Sequence, residues 1–145
     1  MNVYICTSSS HEVFSNFNDF LAYIKNVTLT PSEPFWIDFT GTLSSQEMSM
    51  IQFIFDLHPL TVDDILNGNS TAKWELFNHY LFIMYFIRNI DNTDSLMSMI
   101  ICDGCVLTFH ESESNGINEA RQYFTRPVLT VCIFFVTLFF LFSQF

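Results

Sequence analysis

Charge stops abruptly in this chain. All 20 charged residues lie between Glu12 and Arg126, whereas Pro127 to Phe145 carries none and holds six of the 18 phenylalanines. A folded domain needs polar residues to meet water, so a domain is confined to residues 1–126, and residues 127–145 form a separate hydrophobic tail. The body is long enough to bury one core, and its high apolar and aromatic content excludes intrinsic disorder. Lys plus Arg is 5 against 15 Asp plus Glu, a formal net charge of −10. Such a surface repels phosphates, which excludes nucleic acid as a partner and favours cations.

The body alternates strand and helix signals. Val3-Tyr4-Ile5-Cys6 reads as a first strand broken by a Ser cluster. Phe14, Phe17, Phe20, Leu21 and Ile24 recur at helical spacing, with Ser15 or Asn16 as N-cap, and predict a helix to about Lys25. Pro31 and Pro34 punctuate the chain before a buried strand, Phe35-Trp36-Ile37-Asp38-Phe39-Thr40, that ends at Gly41. Ser44 to Glu47 has the form of a capping box, and Met48, Ile51, Ile54, Phe55 and Leu57 carry a helix to about Asp56. His58-Pro59 stops it. A short second helix is predicted from Thr61, which would cap the acidic turn Val62-Asp63-Asp64, and Asn67-Gly68-Asn69 closes it.

His79 to Asn89 is an aromatic core strand. Ser95 to Cys102 and Cys105 to His110 are two more, joined by the hairpin signal Asp103-Gly104. Asn115-Gly116 ends that region, and Ile117 to Phe124 opens a helix. This order predicts a three-layer α/β/α domain on a mixed parallel/antiparallel sheet, parallel at first and antiparallel later. Trp36, Phe39, Phe82, Met84, Phe86 and Leu107 are its expected core.

Few residues offer chemistry. Cys102 and Cys105 have CxxC spacing, but they flank a hairpin turn, where no helix end lowers a thiol pKa and no second pair completes a zinc site. Hairpin geometry accounts for them. His11, His58, His79 and His110 form no metal-binding spacing. No phosphate-binding loop or nucleophile elbow occurs, so an enzyme is not expected. Asp63-Asp64 suits a hard divalent cation such as Mg²⁺, which accepts one or two carboxylates and keeps its other waters. The plain alternative is that acidic residues in a first helical turn answer the helix dipole.

Phe53 to Asn67, containing His58-Pro59-Leu60 and Asp63-Asp64-Ile65-Leu66, followed by Lys73-Trp74-Glu75 and the aromatic strand to Ile83, resembles the cytoplasmic domain of CorA-type magnesium transporters. Trp36 to Gly41, Met97 to Ile101 and Cys105 to Glu111 support the resemblance in the expected order, across roughly residues 35–124. It implies a domain that assembles as a pentamer with other CorA-type subunits. In the family the acidic pair binds regulatory Mg²⁺ at subunit boundaries, a role that falls here on Asp63 and Asp64, with Co²⁺ and other divalent cations as further ligands. The sequence lacks the family's charged stalk, its Gly-Met-Asn signature and its second membrane helix.

The resemblance therefore implies the sensing domain of a truncated magnesium or divalent cation transporter, held at the membrane with its N-terminal domain in the cytoplasm. The alternatives are a non-transporting regulatory subunit that joins intact transporters, or a nonfunctional fragment. Val128 to Phe145 would rise about 27 Å as a helix, long enough for a single span flanked by Arg121 and Arg126. The same Phe-rich run also fits translation of T-rich sequence beyond a gene-model boundary. With no signal peptide at Met1 to Ser10, a cytosolic body would keep Cys6, Cys102, Cys105 and Cys132 as thiols.

Overall fold

The computed structural model describes residues 1–26, 34–68 and 71–124. The expected features at Pro31, Asn69, Cys132 and the apolar tail lie outside them. The chain runs β1 (Asn2–Thr7), β2 (His11–Phe14), α1 (Phe17–Asn26), β3 (Phe35–Thr40), α2 (Ser45–Phe55), α3 (Pro59–Asn67), β4 (Lys73–Leu76), β5 (Tyr80–Arg88), β6 (Asp94–Cys102), β7 (Cys105–His110) and α4 (Asn115–Phe124).

Among the described residues the strands form one sheet in the order β2-β1-β3-β7-β6-β5-β4. It is mixed, as expected, but its first pairings are not parallel. β1 pairs antiparallel with both β2 and β3, and the parallel pair is β3 with β7. That pair joins strands separated by α2, α3 and the β4 to β6 meander, the kind of long crossover that parallel pairing requires.

Side-chain alternation sorts the core onto two faces. Val3, Ile5, Ile37, Phe39, Phe82, Met84, Ile100 and Leu107 pack with α1 and α2 on one side. Cys6, Trp36, Ile83, Tyr85, Met97, Met99 and Val106 pack with Ile117 of α4 on the other. β3 and β7 are buried at every position, which accounts for their nearly unbroken apolar sequences. Phe86 departs from the expected core. It continues the Phe82 and Met84 face but is 53% exposed, past the cover of the helices.

Local chemistry explains the other differences. The Ser cluster is a tight turn, because Thr7 Oγ1 accepts from the backbone N–H of Ser9 and Ser10 and sends the chain back as β2. Phe14 therefore ends a strand instead of joining the helix, while α1 begins at Phe17, after Asn16, one of the two expected caps, whose side chain accepts from Asn18 N–H. The capping box at Ser44 and Glu47 forms as read. Asn115-Gly116 opens α4 instead of closing the preceding region. Gly41 takes φ +102°, and a Cβ there would stand 3.0 Å from the Met1 backbone, so the turn after β3 requires glycine. No helix among the described residues is long and apolar enough to cross a membrane.

Candidate functional site

The His-Pro-Leu-Thr segment caps α3 three residues earlier than the sequence suggests. His58 is the N-cap, its Nδ1 accepting from Leu60 N–H at 3.2 Å, and Pro59 occupies the first helical turn, where a missing N–H costs nothing. Thr61 is thus not a cap. It is fully buried, and its hydroxyl lies 2.8 Å from Tyr80 Oη, which also accepts from His58 N–H. These bonds pin α3 to β5. Gly68 closes the helix at φ +56°.

The shift moves Asp63 and Asp64 out of the first turn, so the N-terminal dipole no longer accounts for them. Adjacent residues on a helix point about 100° apart, and the two carboxylates part accordingly. Asp63 is exposed and accepts from Asn67 Nδ2 one turn later. Asp64 accepts from Lys73 Nζ of β4 at 2.6 Å, and Lys73 also reaches Glu75 at 3.1 Å. The bond to Asp64 holds the Lys73 ammonium above its ordinary range. Asp64 also lines a cleft of about 310 Å³ beyond the carboxyl ends of β3 and β7, with Asp94, Ser98 and Glu111. One chain therefore presents two hard oxygen donors that diverge. Among the described residues no three His, Cys, Asp or Glu side chains converge as a metal cage.

A second acidic centre escaped the sequence reading. Asp38 is fully buried on the α4 side of the sheet, and its oxygens are surrounded by donors. His110 Nε2 donates to Oδ1 at 2.9 Å, Thr108 donates to the same oxygen, and Arg121 of α4 donates through Nε and a terminal nitrogen to Oδ2. Trp36 Nε1 donates to Thr108 at 2.8 Å, while Arg121 reaches Glu113 at 2.9 Å and stacks 3.6 Å from the centre of the Tyr4 ring. His110 Nδ1 meets the Ser112 carbonyl at 2.8 Å. A carbonyl and a carboxylate can only accept, so both ring nitrogens carry protons and His110 is an imidazolium.

Two carboxylates and two cations then balance. Burial raises the Asp38 pKa, but the hydrogen bond and charge of His110 and the charge of Arg121 outweigh it, and the carboxyl ends below its ordinary value. Burial lowers that of His110, but Asp38 outweighs this and holds the imidazole above its ordinary range. The sequence signal was an aspartate inside an apolar strand, together with a lone histidine and arginine far along the chain. Only the parallel pairing of β3 with β7 brings Asp38 and His110 together.

The family model described as CorA-like Mg2+ transporter protein matches residues 32–144. The chain belongs to the CorA family. It is 31% identical over 96 residues to the cobalt/magnesium transport protein CorA of Thermotoga maritima, an alignment that covers 63% of this chain and 27% of that protein. It is 33% identical over 84 residues to the magnesium transporter ALR1 of Saccharomyces cerevisiae, covering 54% and 10%. This CorA-family chain thus matches only about a quarter or less of the length of these relatives. Its fold is that of the soluble domain of CorA from Methanocaldococcus jannaschii, with TM-score 0.60 at 14% identity over 87% of this chain and 48% of that one. It also matches full-length CmaX, with TM-score 0.65 at 10% identity over 86% and 38%.

Proposed function

We propose that this domain is the cytoplasmic Mg²⁺-sensing part of a CorA-type divalent cation transporter, in which Asp63 and Asp64 hold regulatory Mg²⁺ at the boundary with another CorA-type subunit. The observation that carries the reading is the arrangement of the acidic pair. α3 is fixed to the sheet through Thr61 and Tyr80, yet it presents two carboxylates that no third protein ligand completes within the described chain. Hard oxygen donors suit Mg²⁺, and water fills the positions the protein leaves open. A neighbouring subunit is the natural source of further ligands. Leu60, one turn before the pair on α3, is 61% exposed and offers such a neighbour an apolar contact.

Lys73 divides the roles of the two acids. It neutralises Asp64, which leaves Asp63 as the carboxylate a cation meets first. Co²⁺ and other divalent cations would occupy the same donors, and transport itself belongs to the whole protein at the membrane. The test is the assembly state of the full chain in mild detergent, read by light scattering as Mg²⁺ is raised through the millimolar range expected of an open oxygen site. Mg²⁺ should increase the oligomeric fraction of the wild type, and Asp63→Asn with Asp64→Asn should abolish the increase, because binding confined to the assembled state stabilises it. An equal response in both proteins would overturn the reading.

A further inference from the structure

Cys102 and Cys105 end the two strands of the β6–β7 hairpin as direct partners across the ladder. The turn between them is Asp103-Gly104, in which Gly104 takes φ +71°. Cys102 pairs on its other side with Tyr80, and Cys105 with Phe35; all four belong to or pack against the α1 and α2 face of the core. Both thiols therefore stand on one side of the sheet. Cys105 is buried, at 5% exposure, while Cys102 is partly exposed and donates to the Cys105 carbonyl at 3.4 Å.

We infer that Cys102 and Cys105 form an oxidisable dithiol that closes across the hairpin as a disulfide when the protein meets a peroxide. Direct partners in an antiparallel ladder have Cα atoms about 4.5 or 5.5 Å apart, and both spacings fall in the range of about 4.4–6.8 Å that a disulfide spans. The chemistry divides between the two sulfurs. A hydrogen bond from the Cys105 thiol favours the Cys102 thiolate and lowers its pKa, against burial and the charge of Asp103. The partner thiol thus supplies what a helix end supplies in other reactive cysteines. Burial holds Cys105 far above the ordinary range, so it waits as a thiol.

The Cys102 thiolate attacks one peroxide oxygen. The S–O bond forms as the O–O bond breaks, two electrons pass from sulfur to the peroxide, and the leaving hydroxide takes a proton to become water. The Cys105 sulfur then attacks the Cys102 sulfur. The S–S bond forms, the S–O bond breaks, and the hydroxyl departs as water with the Cys105 proton. Cys6 provides the internal contrast, since it is fully buried and burial, with the charge of Asp38, pushes its thiol up to about 12.

The test uses the full chain carrying Cys132→Ser, treated with hydrogen peroxide, alkylated with iodoacetamide and mapped by mass. The expected result is a loss of two hydrogens from the peptide that contains both cysteines, loss of alkylation at both, reversal by dithiothreitol, and a Cys6 thiol that reacts only after unfolding. Adding Cys105→Ser should leave a sulfenic acid on Cys102 that dimedone captures. Cys102→Ser, at the partly exposed partner, should leave Cys105 unoxidised and checks the assignment if the first variant fails to fold. Wild type that keeps both thiols free, or that stops at a sulfenic or sulfinic acid on Cys102, would overturn the proposal.

Discussion

Asp38 and the Asp63-Asp64 pair are acidic sites of one domain placed under opposite conditions. Asp38 is fully buried, and each of its oxygens accepts from donors on β3, β7 or α4. Asp63 and Asp64 lie at the surface of α3, where one is held by a side chain of its own helix and the other by a lysine. A buried charge cannot wait for a partner, because leaving it unpaired costs several kcal/mol. A surface carboxylate can wait, because water solvates it until a cation arrives. The difference separates a site that maintains the fold from one suited to a ligand.

The contrast breaks most readily at Asp38. Asp38→Ala leaves the His110 and Arg121 cations buried without their carboxylate and should destabilise the domain by about 3–5 kcal/mol in urea unfolding. A loss under 1 kcal/mol would mean that water enters the network. Phe82→Ala, on the opposite face, should cost a similar 3–5 kcal/mol through cavity formation, whereas Phe86→Ala on the same strand should cost well under about 1 kcal/mol because Phe86 is exposed.

Titration sharpens the comparison further. The folded-state pKa of His110 lies above its ordinary 6.5, so its contribution to stability is fully present below pH 6.5 and is lost as pH rises through the folded value. That of Asp38 lies below its ordinary 3.8, so its contribution is present above pH 3.8 and is lost as pH falls through the folded value. Unfolding free energy measured against pH should therefore fall on the alkaline side of 6.5, and His110→Gln should remove that limb. The smallest effect belongs to the surface. Lys73→Gln should change stability by no more than about 1 kcal/mol, since its pairs are partly exposed and screened by salt.

Legibility followed the range of the interactions. The capping box at Ser44, the Asp103-Gly104 hairpin and the apolar strand near Phe82 are set by neighbours in sequence, and they formed where their residues indicated. β2 carries no turn signal of its own, because its turn relies on Thr7 and serine hydroxyls instead of glycine. β4 is illegible in the sequence because four residues of an edge strand carry no apolar run. The start of α3 is misleading in the sequence because His58 is a rare cap and Thr61 a common one. Asp63 and Asp64 were identified as candidates through their surrounding motif, but their divergence follows from helix geometry and from Lys73 nine residues on. The Asp38 network could not be read, since it joins residues 70 to 83 positions apart through a parallel pairing.

The most direct measurement is the unfolding free energy, by urea at neutral pH without Mg²⁺, of Asp38→Asn beside Asp63→Asn. Asp38→Asn should lose about 3 kcal/mol or more, and Asp63→Asn should stay within about 0.5 kcal/mol of wild type. Equal losses, or a larger loss at Asp63, would contradict the division of the two acidic sites into one that holds the fold and one that awaits a cation.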